Sequence, residues 1–371
     1  MSHSFPARWN SIRTALCHDW LTGMRGGERV LEILCQGFPS AHLYTLIHNP
    51  SAVSEIINSH PIHASWLQAI PRIYRNYRHL LPLFPGAMER FAPPDCDLLI
   101  STSHCVAKNL PIPQTAAHLC YCFTPMRYAW LFQEEYLGGN PVKRMMAAPV
   151  LAWLRRHDRL TSSRVHRFVA ISSHVQERIR KFYGRDADIV YPPVDLDRWT
   201  LGTAPSATFD LVASALVPYK RLDLAVKAYS RLHRPLKIVG IGSERANLER
   251  IAGPSIEFLG WQSDIQLLDL YRNCGCLVFP GEEDFGIVPL EAQACGRPVV
   301  AYARGGAMET VREDISGIFF TEQTVDRLVE AVKLCHSKTW DSHAIRLQAE
   351  RFGVAQFISG IDACISKTLQ A

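Results

Sequence analysis

Short runs of apolar residues alternate, along nearly the whole chain, with longer segments in which apolar positions recur every three or four residues. The short runs predict strands buried on both faces and the longer segments predict crossover helices, the pattern of parallel sheets covered by helices. Strands are expected at residues 14–18, 42–47, 97–101, 118–123 and 167–171, and in a second series at 210–214, 236–240, 257–259, 276–279, 298–302 and 318–320. The result is an α/β chain of two Rossmann-like units. The stiff YPPVD at residues 191–195 and the polar LGTAPS at 201–206 place the hinge between them. Ligands of such sheets bind beyond the carboxyl ends of the strands, so two parallel sheets facing a central cleft would share one site.

Composition narrows the class. A chain of 371 residues is longer than single cores usually grow, with 47% hydrophobic and 20% charged residues, as in ordinary globular proteins. No apolar run suits a signal peptide or a membrane span, so a cytoplasmic protein is expected. The 11 cysteines lack zinc-clamp spacings and read as small core residues. Net charge is +5 overall, yet the first 190 residues carry +8 and the remainder −3. Basic residues cluster at Arg72, Arg75, Arg78 and His79, and again at Lys143, Arg144, Arg155, Arg156, Arg159, Arg164 and Arg167. Interleaved Tyr74, Tyr77, Met145, Met146, Val150 and Trp153 suggest amphipathic segments at an anionic membrane surface, the inner face of the cytoplasmic membrane, as readily as solvated helix faces. No nucleic-acid-binding module accompanies the charge.

Three segments carry candidate chemistry. GMRGGER at 23–29 follows the first strand, and Gly26 and Gly27 there would let backbone N–H groups approach an anion at a helix start. VPYKRLD at 217–223 follows the first strand of the second series, where Lys220 and Arg221 could neutralise a departing diphosphate. GEEDFGIVPLEA at 281–292 is the most specific: Pro289 suits a first helical turn, and Glu283 and Glu291, eight apart, can grip different parts of one elongated ligand. Carboxylates accept hydrogen bonds from sugar hydroxyls and need no metal for it.

EEDFGIVPLEAQACGRPVVAYARGGAMETV closely resembles the nucleotide-sugar site of the family-4 glycosyltransferases, which have the GT-B fold. HDWLTGMRGGERVLE, STSHCVAK, CYCFTPMRYAW, LVPYKRLDLAVKAY and FLGW extend the likeness over most of the chain. The resemblance implies an acceptor-binding domain of residues 1–190 plus 355–371 and a nucleotide-sugar-binding domain of 191–354. It makes Lys220 the diphosphate ligand, Glu283 the contact to the donor sugar and Glu291 the ribose ligand. Phe285, Gly286, Ile287, Gly305, Gly306 and Ser172 fall on the donor side, and His104, Phe123 and Arg127 on the acceptor side. It further implies retention of anomeric configuration by front-side displacement, with no cofactor. The substrates would be a GDP-mannose or UDP-sugar donor and a lipid-linked saccharide acceptor of polysaccharide biosynthesis.

Two positions depart from the pattern. Relatives carry Arg where this chain has Ala215, and His-Thr-Pro where it has Phe123-Thr124-Pro125. Arg25, Arg127 and Arg221 are the candidates to supply the missing charge, His18 and His104 the missing imidazole. A non-catalytic sugar-nucleotide-binding partner of a polysaccharide assembly complex is the alternative these departures support. A nicotinamide-dependent oxidoreductase ranks lower, for want of GxGxxG. Asp95/Asp97, Asp186/Asp188 and Asp195/Asp197 fit the Asp-x-Asp spacing of metal-dependent transferases, but the first two are expected to precede strands, away from the ligand edge, and Asp195 to cap a turn, so no metal is expected.

Overall fold

The computed structural model describes residues 4–131, 141–202 and 208–370, with the side chains of 141–144 excepted. Residues 203–206 of the expected spacer, and the side chains of Lys143 and Arg144, lie outside that description. Two units divide the chain: Ser2–Pro192 with Phe357–Ala371, and Pro193–Gln356.

The first unit holds strands β1 (Thr14–His18), β2 (His42–Thr45), β3 (Ile62–Ala64), β4 (Leu98–Ser103), β5 (Ala117–Cys122), β6 (Arg167–Ala170) and β7 (Ala187–Ile189). They form one parallel sheet in the order β3-β2-β1-β4-β5-β6-β7. The second holds β8 (Asp210–Ala213), β9 (Leu236–Val239), β10 (Ile256–Gly260), β11 (Leu277–Phe279), β12 (Val299–Tyr302) and β13 (Gly317–Phe320), parallel in the order β10-β9-β8-β11-β12-β13. Strand order reverses between β1 and β4 in one sheet and between β8 and β11 in the other. Loops leaving these pairs diverge to opposite faces of the sheet, which opens a crevice at the carboxyl edge.

All eleven predicted strands form, because central strands such as β4 are buried along their whole length and their apolar runs are continuous. The sheet is extended by β3 and β7, three residues each and half-buried, which no apolar run announces. Asp188 therefore lies inside β7 rather than ahead of a strand, paired with Arg167 and Lys367. Asp95 and Asp97 both pair with Arg13, and Asp195 accepts the Arg198 N–H at 3.0 Å as a cap.

Long helices cover the sheets: α1 (Gly26–Gly37), α2 (Pro141–Thr161), α3 (Ser173–Tyr183), α4 (Leu222–Leu232), α5 (Asp264–Asn273), α6 (Ile287–Ala294), α7 (Val325–Ser337) and α8 (Val354–Leu369). The amphipathic pattern at the end of the chain becomes α8, which packs on the first unit. Phe357 meets Tyr121 edge-on at 5.6 Å between ring centroids, and Trp9 Nε1 donates to Asp362 at 2.7 Å.

The two basic-aromatic segments split their apolar residues between core and surface. Ile73, Tyr77 and Leu154 are buried in the core of the first unit. Tyr74, Met145, Met146, Val150, Trp153 and Leu160 are exposed, Met145 and Met146 by 72% each. Among the described residues, no helix is long and apolar enough to cross a membrane. Every cysteine is buried and free, in keeping with a packing role.

Candidate functional site

In the second unit, three loops at the carboxyl edge converge. After β8 the chain makes a short 3-10 turn, Pro218–Lys220, and Arg221 takes a left-handed conformation (φ 52°) to start α4. After β11, residues 280–286 lead into α6, with Gly286 left-handed (φ 96°) as its N-cap. After β12, Gly305 and Gly306 turn the chain back, and the Gly306 N–H donates to the Glu283 carbonyl at 2.8 Å.

Glycine is required at three of these positions by close approach. A Cβ on Gly281 would lie 2.9 Å from the Lys220 backbone. One on Gly305 would lie 2.3 Å from the Glu283 carbonyl oxygen, and one on Gly306 2.2 Å from the Phe285 backbone. Real Cβ atoms do not come so near, so these glycines hold the Lys220 and Glu283 loops in register.

The outcome is an ion pair between Lys220 Nζ and Glu283 Oε1, both side chains mostly buried. A small pocket beside it is lined by Val212, Ser214, Leu222, Pro280 and Gly281. Glu291, on α6, accepts a hydrogen bond from the Tyr271 hydroxyl of α5 at 2.9 Å. Tyr271 is buried beside Trp199, and burial pushes its phenol well above the usual range, so it remains a donor that orients the carboxylate. No sequence signal marks Tyr271, which reads as an ordinary apolar-face helix residue.

Not every predicted donor-side residue of the second unit faces the pocket. The Arg221 guanidinium donates to Asp223 at 3.1 Å and to Gln323 at 3.2 Å, while Gln323 donates to the Pro280 carbonyl at 2.9 Å. Arg221 thus braces the loops. The Phe285 side chain is buried against Phe352, and Ile287 is half-buried in the first turn of α6. Ser172, in the first unit, is fully buried as the N-cap of α3, its Oγ accepting from the Val175 N–H at 3.1 Å.

In the first unit, the ends of β1, β4 and β5 gather a second cluster. His18 closes β1, His104 follows β4, Phe123 follows β5, and α1 begins at Gly26. A Cβ on Gly27 would meet the Phe123 ring at 3.3 Å and His18 at 3.5 Å, so Gly27 lets α1 start close to them, whereas Gly26 is open. Arg127 begins the short helix Arg127–Trp130 beyond the same edge.

Asp19 is fully buried. Its two oxygens accept the backbone N–H groups of His104, Cys105, Val106 and Ala107 at 2.6 to 2.9 Å, and His104 Nδ1 lies 3.0 Å away. Burial opposes its charge, but His104 and these donors outweigh it and hold the carboxyl at about 2.

His18 behaves differently. Its Nδ1 lies 2.7 Å from Thr102 Oγ1, whose own hydroxyl donates to the Cys17 carbonyl, so Nδ1 carries the proton. Burial holds its pKa at about 4 against an ordinary 6.5, so the ring is neutral near pH 7. Glu28, whose Oε2 accepts the Arg25 N–H at 3.1 Å, is raised by burial.

A pH dependence of stability follows. Once unfolded, His18 binds a proton below its ordinary value, so its contribution is fully present above about pH 6.5 and is lost as pH falls through 4, a change of about 3 kcal/mol at 1.36 kcal/mol per unit. His118, buried and held at about 3, acts in the same direction. Urea midpoints are expected to fall between pH 7 and pH 4.5; equal midpoints would contradict this account.

Residues 195–351 match the family model described as Glycosyl transferases group 1. The D-inositol 3-phosphate glycosyltransferase of Mycolicibacterium smegmatis is 32% identical over 169 residues, covering 40% of this chain and 38% of that protein. An uncharacterized glycosyltransferase of Methanocaldococcus jannaschii is 26% identical over 171 residues, 45% of this chain and 48% of the relative. The matches thus span less than half the length of these curated relatives. Among solved structures, Anabaena HepE in complex with UDP and glucose superposes with a TM-score of 0.66 at 17% identity, over 96% of this chain and 99% of the other. Sucrose-phosphate synthase of Thermosynechococcus elongatus gives 0.71 at 15% identity, over 96% and 98%. At these identities the likeness shows the fold, which is GT-B.

Proposed function

We propose that the chain is a retaining, metal-independent glycosyltransferase of family 4. Its donor would be a nucleoside diphosphate hexose, GDP-mannose or a UDP-sugar, and its acceptor a lipid-linked saccharide of polysaccharide biosynthesis. The observation that carries this reading is the Lys220–Glu283 pair at the carboxyl ends of β8 and β11, beside the Gly305–Gly306 turn and within the segment that matches the group 1 model.

A donor would give each charge a new partner. Its diphosphate takes Lys220 and the backbone N–H groups of the glycine turn, its sugar hydroxyls take Glu283, and the ribose diol takes Glu291 as oriented by Tyr271. In a front-side displacement the acceptor oxygen bonds to the anomeric carbon on the face from which the diphosphate leaves. The carbon–oxygen bond to phosphate breaks, and the departing phosphate takes the acceptor's proton. Lys220 then stabilises charge that grows only in the transition state. In the first unit, His104, Phe123 and Arg127 are assigned to the acceptor side.

A radiolabelled panel of GDP- and UDP-sugars against lipid-linked mono- and disaccharides tests the reading, with inositol phosphate included because a relative's name specifies it. Transfer with none of these pairs would reject it. Phe123 and Ala215 keep a second reading in view, a sugar-nucleotide-binding protein without transfer. That reading expects thermal stabilisation by a nucleotide, about 2.7 kcal/mol at a hundred times its dissociation constant, without donor consumption.

The acceptor class is supported by the surface of α2. Met145, Met146, Trp153 and Leu160 are exposed there, close in sequence to Arg155, Arg156 and Arg159. Peripheral contact with an anionic bilayer at the cytoplasmic face fits this composition. Co-sedimentation with vesicles is expected to rise with anionic lipid content and fall with salt, and to drop in a Met145→Ser/Trp153→Ser variant. Binding indifferent to lipid charge would remove this part of the proposal.

A further inference from the structure

The structure assigns His104, positioned by Asp19, as the hydrogen-bond acceptor for a saccharide hydroxyl in the first unit, an assignment that rests on the glycosyltransferase reading.

Two imidazoles stand at the carboxyl edge of β1 and β4, and their surroundings separate them. His18 is 1% exposed, and its Nδ1 proton is committed to Thr102. The His104 side chain is 27% exposed while its partner Asp19 is fully buried. Nδ1 faces Asp19, so Nε2 lies on the far edge of this partly exposed ring. An ionised carboxylate 3.0 Å from Nδ1 requires a proton on that nitrogen. With that proton on Nδ1, the second ring nitrogen, Nε2, is the one left to meet a saccharide hydroxyl.

Asp19 itself cannot swing away. Four consecutive backbone N–H groups of the turn that carries His104 hold it, so turn, carboxylate and ring form one rigid piece. Trp20 packs edge-on against the ring at 4.5 Å between centroids, and Phe123 lies on another side at 6.3 Å. These two aromatic rings limit the directions from which a ligand can approach Nε2. The position is also the switch point of the first sheet, between β1 and β4, where its loops diverge. His104 is thus a catalytic residue in the sense of touching substrate, and Asp19 a positioning residue.

The test is steady-state kinetics on the full chain, with whichever donor and acceptor pair the wild type uses and a panel of singly deoxygenated saccharides. His104→Ala is expected to lower kcat/KM about tenfold or more, the equivalent of one lost hydrogen bond of about 1.4 kcal/mol. One deoxy substrate should lose a comparable factor with the wild type and nothing further with His104→Ala, because both changes delete the same bond. His104→Gln, which keeps a hydrogen-bond acceptor, should return part of the activity that His104→Ala loses.

Additive losses with every deoxy substrate, or wild-type activity in His104→Ala, would overturn the assignment and leave the glycosyltransferase reading standing. A wild type inactive with every donor and acceptor pair would overturn both.

Discussion

Replacing Lys220 by Ala is expected to cut sugar transfer about a hundredfold or more, the scale of losing one preorganised electrostatic stabiliser. The effect should fall mainly on kcat. On the proposed function Lys220 would face a charge that grows as the diphosphate leaves, and an interaction stronger in the transition state than in the bound substrate lowers the barrier rather than KM. Removing the ammonium also leaves Glu283, mostly buried, without its cation, so donor affinity should weaken through repulsion between carboxylate and phosphate. Glu283→Gln separates the two effects, since it keeps a hydrogen-bonding group and removes that repulsion. Initial rates over a range of donor concentrations for both variants decide the matter. A Lys220→Ala enzyme with unchanged kcat would refute the assigned role.

The second large effect concerns stability. Lys108 and Asp158 are both buried, with Nζ 2.5 Å from Oδ1. Lys108 Nζ also donates to Asn109 Oδ1 at 3.0 Å and Thr161 Oγ1 at 3.3 Å. Asp158 Oδ2 accepts from Trp130 Nε1 at 2.7 Å and from the Tyr183 hydroxyl at 2.8 Å. One carboxylate thereby ties α2, α3, the short helix Arg127–Trp130 and the turn after β4 to one another. Asp158→Ala would leave a buried ammonium and two hydroxyl or indole donors without their acceptor, and about 3–5 kcal/mol of stability should be lost. The double change Lys108→Met/Asp158→Leu should be far milder than either single one, because the pair's attraction is largely cancelled by the cost of burying two charges. Urea unfolding of the three variants measures this. Equal losses for Asp158→Ala and the double variant would show that the pair matters through packing alone.

Lys108 also shows how a motif can mislead. STSHCVAK reads as an acceptor-side segment, yet its lysine is buried in structural pairing and its histidine is the ring held by Asp19. The segment's spacing places both residues after β4 without indicating which one faces outward. Ser172 and Arg221 follow the same rule. Each stands at the expected point of its loop, and each spends its polar atoms on the fold, Ser172 as a helix cap and Arg221 on Asp223 and Gln323.

By itself the sequence determined the alternation of strand and helix, the two parallel sheets, and the loops on which candidate chemistry sits. Those follow from apolar periodicity and from Gly and Pro at turns, which act over a few residues. Which of those side chains pair with one another is a property of the packed fold. Asp19 reaches His104 across 85 positions, Tyr271 reaches Glu291 across 20, and Lys108 reaches Asp158 across 50. The tertiary structure also decided the edge strands β3 and β7, too short and too exposed to leave a pattern. A hydrogen bond's direction, and the desolvation that fixes a proton on one nitrogen, belong to the packed interior, where partners distant in the chain meet.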